Sequence, residues 1–488
     1  MTARRPSTAW TFAITSIALF MVALDNLVVT TALPVIKADL GASLADLQWM
    51  VNAYTLTFAV LLLTGAALGD RFGRKRIFLV GMAIFTGGSA LAALSPTSDI
   101  LILARAIQGV GGAFVTPLTL TILSAAVPPE RRAVALGAWG GIAGLAIAIG
   151  PLVGGAIAEG LDWHWIFWLN VPIGLVVMPL AALRLTESYG PEGRLDIPGL
   201  GLISAGLLAI VWGVINGNDL GWTSVQVVGS IGAGIALLAG FLAWEARAAQ
   251  PMLPLGVFRN RAFSSANAVS FLMFFGMFGA VFLLSQFFQV VQGYSPFQAG
   301  LRTLPWTGMP IVVAPIAGVV AGRIGGRPIL AAGMALQAVA LAWLAVIVTP
   351  TVAYEAMVVP FILAGIGMGL FFAPIANVVL SAVRPDQEGK ASGATNTIRE
   401  VGGVFGVAVL AAIFSANGDY ASPAAYVAGL QPAIAVGAVI VGLGAIAALA
   451  IPARAGAVAP APSRSEDSSR TRAGDPAYAY ATIDPTDV

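Results

Sequence analysis

The chain has 488 residues, 58% of them hydrophobic and only 10% charged, against about 25% charged in ordinary soluble domains. That composition excludes a soluble fold of this length and makes lipid the main solvent. The absence of Cys and the single His, His164, exclude disulfides, thiol chemistry and clusters of Cys or His metal ligands, and the net charge of +2 is too small to define a partner.

A bilayer core needs about 20 apolar residues per helix. Breaks at charge, Pro and Gly predict about fourteen spans, beginning near Trp10, Leu47, Ile77, Ile100, Ala133, Trp163, Ile197, Val225, Ala262, Phe297, Pro328, Tyr354, Ala391 and Gln431. The first follows Arg4 and Arg5, is long for a signal-peptide core and carries Asp25, so a retained span is expected. The seventh and eighth are the least regular, because Asn216, Asn218 and Asp219 crowd the turn between them. The tail from about Pro452 is rich in Pro, Ser, Ala, Asp and Arg; it cannot bury a core and is expected to be disordered.

The basic residues test this count. With the N-terminus in the cytoplasm, alternate loops hold Arg71, Arg74, Lys75 and Arg76; Arg131 and Arg132; Arg184 and Arg194; Arg247, Arg259 and Arg261; Arg323 and Arg327; Arg384 and Lys390. The tail holds Arg454, Arg464, Arg470 and Arg472, so only Lys37 and Arg302 fall outside this pattern, while Arg105 and Arg399 lie within spans. A multi-pass cell-membrane protein with both termini cytoplasmic is therefore expected.

Two segments recur. The basic turn Leu68-Gly-Asp-Arg-Phe-Gly-Arg-Lys-Arg76 has a weaker copy in Ala321-Gly-Arg-Ile-Gly-Gly-Arg327, about 252 residues on. The stretch from Leu123 through Pro128 to Ala138 resembles that from Leu380 through Pro385 to Ala394, about 257 residues on. Two related halves of six spans with two inserted helices would produce such offsets, and repeats of this kind build secondary transporters. The expected division is an N-terminal bundle over 1–186, two linker helices over 187–250, a C-terminal bundle over 251–452 and the tail over 453–488. The fold class is all-α integral membrane, with the two bundles related by pseudo-twofold symmetry.

At this point the chain resembles the major facilitator superfamily, and within it the 14-span drug:proton antiporters. Gly69-Asp70-Arg71-Phe72-Gly73-Arg74-Lys75 is similar to the loop signature between spans 2 and 3, although Ala66 stands where that motif usually begins with Gly. Leu103-Ala-Arg105-Ala-Ile-Gln108-Gly109 resembles the fourth-span signature. Gly144 with Gly150-Pro151-Leu-Val-Gly154-Gly155 resembles the fifth-span signature associated with antiport. Leu24-Asp25-Asn26 through Pro34, and Trp163-His-Trp-Ile-Phe167 followed by Asn170-Val-Pro172, fit the 14-span subgroup.

The resemblance implies a proton-coupled exporter of lipophilic drugs or antibiotics, not an enzyme, working as a monomer in the bilayer without a cofactor, metal or nucleic acid. The alternative is a proton-coupled transporter of a nutrient or endogenous metabolite. An ATP-driven exporter is excluded, since none of Lys37, Lys75 and Lys390 lies in a phosphate-binding loop.

Charges inside spans cost about 2.5–3.5 kcal/mol each on insertion scales, so each needs a partner, water or a purpose. Asp25 lies about 22 Å along its helix, at a depth similar to Arg105, and the two are expected to face one aqueous cavity. Burial opposes the charge of Asp25 and a nearby arginine supports it, which suits proton loading and release; a fixed helix-to-helix ion pair is the plain alternative. Arg399 and Glu400 point about 100° apart and cannot pair ideally. They are assigned with Gln108 and Asn26 to a substrate or proton cavity. Asp70, with Arg71 and Arg74, is expected to latch helix ends, and Gly150-Pro151 to serve gating. The cluster from Phe271 to Phe278 suits either drug contact or lipid packing. His164, between Trp163 and Trp165, suits an interfacial aromatic belt better than a proton relay.

Overall fold

The computed structural model describes residues 8–190, 195–249, 251–384 and 387–452. Arg4, Arg5, Arg194 and the expected disordered tail lie outside them. Among the described residues the chain is helical, without strands. The helices are α1 (Thr8–Leu40), α2 (Leu44–Phe72), α3 (Arg74–Ala93), α4 (Ser98–Ala126), α5 (Pro129–Gly160), α6 (Trp165–Arg184, with a break at Leu169) and α7 (Ile197–Leu220). They continue with α8 (Val225–Glu245), α9 (Arg261–Val291, ending in a π turn), α10 (Pro296–Ile324, broken at Gly308), α11 (Gly326–Ile347), α12 (Tyr354–Ser381), α13 (Glu388–Asn417) and α14 (Pro423–Leu449).

Among the described residues thirteen of these are long and apolar enough to cross a membrane; the described apolar stretch of α5, Ala148–Gly160, is shorter than a span. The last helix begins at Pro423, not near Gln431: Ser422 accepts the amide of Ala425 at 3.1 Å and so starts a helix that runs on through Pro432. A capping box between Ser43 and Asp46 starts α2 in the same manner.

α2 and α3 are separated by Gly73 at φ +107°, and α10 and α11 by Gly325 at φ +88°. Both values need glycine, which can turn the chain within one residue. Packing follows a repeated scheme. α1 lies on α5, α2 and α3 on α4, and α3 on α6; likewise α9 lies on α13, α10 and α11 on α12, and α11 on α14. The two sets meet where α5 lies against α10 and α2 against α13. α7 and α8 pair with each other, and α7 rests on α2 and α13. Only 17% of the apolar window of α8 is buried against protein, compared with 72% for α9, so α8 is outermost.

The basic end of the bundle is the one where α1 begins. At the opposite end Glu159, closing α5, accepts the Phe297 amide at 3.1 Å and the Ser295 hydroxyl, and Lys37 stands 3.0 Å over the ring of Tyr420.

Candidate functional site

The densest polar cluster lies among α1, α2, α3, α4 and α6. Asp25 is 3% exposed and Arg105 is fully buried. Arg105 Nη1 pairs with Asp25 Oδ2 and donates to Gln108 Oε1 at 3.0 Å, while its Nε donates to the Met50 carbonyl at 3.1 Å. Asp25 Oδ1 accepts from Gln108 Nε2 at 3.1 Å and from Asn170 Nδ2 at 2.8 Å. Gln108 also donates to Ser89 Oγ at 2.8 Å. The guanidinium stands 4.2 Å over the Tyr54 ring, and the Tyr54 hydroxyl donates to the Val22 carbonyl at 3.1 Å.

The sequence reading brings Asp25 and Arg105 to one depth, and they do meet. They meet as a sealed ion pair instead of across an aqueous cavity: both carboxylate oxygens are engaged, and apolar residues close the site. An ion pair is tolerated there because charge-assisted hydrogen bonds surround it on both sides. Arg105 Nη2 alone has no partner.

Among the described residues, the other expected members of a shared cavity form no hydrogen bonds with one another. Gln108 belongs to the Asp25 cluster, where its amide is engaged by Arg105, Asp25 and Ser89. Asn26, one residue beyond Asp25, points about 100° away on the helix, and its buried Oδ1 has no partner. Arg399 lies 4.4 Å from the Phe274 ring centre and 5.4 Å from that of Phe372, with a 3.2 Å hydrogen bond to Asn396. Glu400 Oε2 is buried without a partner, as is Arg399 Nε, so the adjacent residues do not satisfy each other. Between α1, α9, α10 and α12 lies a small apolar cavity lined by Leu27, Met277, Phe278, Trp306, Thr307 and Met368, among others. The Phe/Met cluster of α9 therefore turns in part toward the interior.

The basic turn is held more firmly than its sequence suggests. Arg74 pairs with Asp70 at 2.8 Å, and the segment after α6 closes over both: Arg74 N donates to the Ser188 carbonyl at 2.9 Å and Gly190 N to the Asp70 carbonyl at 3.0 Å. The Glu187 carboxylate accepts the amides of Lys75 and Arg76 at 2.9 and 3.3 Å, capping α3 where the helix dipole favours an anion. Glu187 gives no signal in the sequence, since a lone Glu in a connecting loop is ordinarily solvated. Arg71 is exposed beside Phe72 and takes no part in this latch. Gly69 packs on Leu118, and any Cβ at Gly73 would strike the Glu187 carboxylate.

The glycines of α5 divide by face. Gly150 and Gly154 allow α1 to approach at Leu27 and Val28, whereas Gly155 allows α10 to approach at Pro296. The Pro151 carbonyl abuts Gly300 on α10. Gly144 has open space around it and no such role. Trp163 is buried against the protein: it is 2% exposed and donates to Asp39 Oδ2 at 2.9 Å. His164 stacks on Trp163 and pairs with Asp162, whose carboxyl is held below the usual range mainly by the His164 backbone amide.

Apolar helices long enough to cross a membrane, packed in two repeated sets with a sealed ionic cluster inside the first, define a multi-pass membrane protein. The chain belongs to the Major Facilitator Superfamily, whose profile matches residues 15–407. It is 39% identical over 412 residues to the cephamycin export protein CmcT of Amycolatopsis lactamdurans, covering 83% of this chain and 84% of that protein. It is 35% identical over 404 residues to the tetracenomycin C resistance and export protein of Streptomyces glaucescens, covering 82% and 75% respectively. The multidrug resistance protein Stp of Mycobacterium tuberculosis is also 35% identical over 404 residues, with the same coverage. Among solved structures, a POT family transporter superposes with a TM-score of 0.67 at 13% identity, covering 89% of this chain and 94% of that one. The human organic anion transporter MFSD10 does so with a TM-score of 0.63 at 15% identity, covering 91% and 100%. At such identities these two structures speak for the fold alone.

Proposed function

We propose that this protein is a proton-coupled antiporter that exports lipophilic small molecules, antibiotics among them, by alternating access. The observation that carries the reading is the Asp25–Arg105 pair. A carboxylate sealed in α1 and bound to an arginine on α4 is a two-state element: a proton on Asp25 dissolves the ion pair and frees Arg105 to move. The export proteins among the relatives support the substrate class. The cavity between α1, α9, α10 and α12 offers Met and aromatic contacts suited to varied apolar compounds, and the unpartnered indole N–H of Trp306 offers one donor.

The architecture we infer has α1–α6 (1–186) and α9–α14 (251–452) as bundles related by a pseudo-twofold axis, with α7 and α8 (187–250) inserted between them. Three observations support it: the matched packing scheme, the hinge glycines Gly73 and Gly325, and the reciprocal contacts of α5 with α10 and α2 with α13. In this reading α5 is the fourteenth span, the basic end faces the cytoplasm with both termini, and the protein works as a monomer in the cell membrane. The contacts of Glu159 and Lys37 then close the outer side. Asp70, Arg74 and Glu187 form the cytoplasmic latch; Gly150, Pro151, Gly154 and Gly155 form the sliding seam of α5; Glu400 and Arg399 face the substrate path.

One proton entering down about 100 mV and one pH unit supplies about 3.7 kcal/mol, enough for about 500-fold accumulation of a neutral substrate. The test is uptake of a lipophilic antibiotic into inverted membrane vesicles carrying an imposed pH gradient. Uptake that follows the gradient and vanishes with a protonophore is expected. Uptake that survives the protonophore but requires ATP would overturn the reading.

A further inference from the structure

Asn216, Asn218 and Asp219 stand out in the sequence of the inserted pair, and the transport reading leaves them unused. They lie in the last turns of α7, which runs on to Leu220. Asn216 turns back on its own helix and donates to the Trp212 carbonyl at 2.9 Å. Asn218 reaches out of it. Its Nδ2 donates to the Ala412 carbonyl at 2.6 Å and to Ser415 Oγ at 2.5 Å, both on α13. Its Oδ1 accepts the Trp222 indole N–H at 2.7 Å. One side chain therefore closes the turn into α8 and ties α7 to α13, with both amide protons and the carbonyl engaged.

α7 and α8 are bound into one piece. A Cβ at Gly234 would meet the Gly206 carbonyl oxygen at 2.7 Å, and one at Gly213 would meet Ile231 and Ser230 at 2.6 Å. Small residues that let backbones approach this closely are what hold membrane helices together. Both ends are tied as well, by Trp222 to Asn218 at the outer turn and by the Trp244 indole of α8 to Asp196, which caps α7, at 2.7 Å.

The attachments of this hairpin to the two halves differ in kind. Toward the C-terminal half they are hydrogen bonds. Asn218 bonds to α13 at the outer end. At the basic end Glu245 Oε2 accepts the Leu253 amide at 3.1 Å, in the linker whose Asn260 caps α9 and donates to the Ala382 carbonyl at 2.7 Å. Toward α2 they are apolar. Leu207, Val211 and Ile215 of α7 share a core with Leu56 and Val60, and among the described residues no hydrogen bond joins α7 or α8 to α2. In the basic half, Val60 and Leu63 of α2 border an apolar chamber of about 240 Å³ with Leu207 and Phe241, so contact is incomplete there. The linker meets α2 through Met252 Sδ, a weak acceptor 4.0 Å from Thr64 Oγ1. Apolar faces can slide in lipid, because the tails that replace a lost contact are equally apolar; hydrogen bonds hold a fixed geometry.

We propose that α7 and α8 form a single rigid hairpin fastened to the C-terminal bundle through Asn218 and the Glu245–Leu253 bond, and that the hairpin travels with that bundle while α2 slides across its apolar face. The proposal rests on the two-bundle, alternating-access reading and gives the inserted pair a side in that movement. The Thr397–Ala59 hydrogen bond, 3.1 Å between α13 and α2, then has to break as the halves part.

The chain has no Cys, so pairs of spin labels can follow the movement. Val225 at the start of α8, Val346 near the end of α11 and Leu94 just beyond α3 are all exposed and suit labelling as cysteines. Pulsed electron paramagnetic resonance in lipid nanodiscs measures the three distances in the labelled chain, with and without Lys37→Ala/Glu159→Ala, which removes outer contacts between the halves. The Leu94–Val346 distance reports the halves themselves and should gain a longer component in that variant. The Val225–Val346 distance should stay single and unchanged, while Val225–Leu94 should change with the halves. Asn218→Asp keeps the acceptor for Trp222 but has no N–H for α13; it should broaden the Val225–Val346 distance, as should Asn218→Ala. A Val225–Val346 distance that shifts along with Leu94–Val346 would overturn the proposal, as would a fixed Val225–Leu94 distance or indifference to both Asn218 substitutions. A Leu94–Val346 distance that never changes would overturn the alternating-access reading itself, and this assignment of movement with it.

Discussion

Asn170 Nδ2 lies 2.8 Å from Asp25 Oδ1, a hydrogen bond between α6 and α1 across 145 positions of sequence. It occupies the oxygen that Gln108 also reaches, while Arg105 takes the other. The carboxylate therefore has donors from α4 and α6 and cannot gain or lose charge without disturbing both helices. Asn170→Ala should weaken this coupling by about 1.5–3 kcal/mol, the usual worth of a hydrogen bond to a charged group. Gradient-driven efflux should fall at least several-fold, with expression retained. Wild-type efflux from the Ala variant would make Asn170 a packing residue only.

Asp25→Asn should abolish gradient-driven transport, but the structure adds a stability cost. Arg105 is fully buried and Asp25 is its only anionic partner among the described residues, so the Asn variant leaves an uncompensated cation, at about 3–5 kcal/mol. The double variant Asp25→Asn/Arg105→Gln should recover thermal stability in detergent without recovering transport. Recovery of both would show that the pair is structural.

The charged part of this cluster is legible in sequence because charges inside apolar runs are conspicuous: Asp25 and Arg105 announce themselves, and similar helix depth suggests that they meet. Asn170, Ser89 and the Met50 carbonyl are not legible. Neutral polar groups occur throughout membrane helices, and a backbone carbonyl has no sequence signature. Helix direction explains the misplacement of Asn26: adjacency in sequence is a 100° turn in space. Turn glycines explain why both hinges were readable, since Gly73 and Gly325 each meet a positive-φ demand that no other residue fills easily. Glu187 stayed hidden because its role depends on where the chain returns after α6. The start of α14 is hard to place from sequence because Pro432 looks like a boundary, whereas the cap at Ser422 sets it.

At the basic turn, Glu187→Ala should impair transport about as much as Asp70→Asn. It removes the anion that caps α3, worth up to about 1 kcal/mol at this partly exposed position, and frees the segment that covers Asp70. Arg71→Ala should leave turnover near normal, since Arg71 is exposed outside the latch. Initial rates of antibiotic uptake in vesicles, at matched protein levels, check this ranking. Equal damage from Arg71→Ala would show that the turn acts through its net positive charge.

The seam of α5 gives a paired test. A methyl group at Gly155 would overlap the Pro296 carbonyl of α10, so Gly155→Ala must part α5 from α10. Gly144 has open space, and Gly144→Ala should be neutral or slightly stabilising for the helix. Turnover should therefore fall in the first variant and persist in the second. The reverse pattern would move the antiport motif's function away from the contact between α5 and α10.

Charge selectivity follows from what the interior offers a cation. Asp25 is occupied by Arg105, leaving Glu400 as the carboxylate with an oxygen free of partners beside the proposed substrate path. Arg399, stacked near Phe274 and Phe372, stands next to it and opposes positive charge. A dication in a low-dielectric site needs more than one nearby carboxylate, and one opposed Glu cannot supply that. Monovalent or neutral lipophilic compounds should therefore be exported well and rigid dications poorly. Arg399→Gln should narrow the difference by removing the opposing charge, while Glu400→Gln should reduce export of monovalent cations but not of neutral compounds. Resistance profiles of a susceptible host expressing each variant, with a rigid dication and its monovalent analogue side by side, decide the matter. Equal resistance to both compounds from the native chain would contradict the assignment of Glu400 and Arg399 to the substrate path.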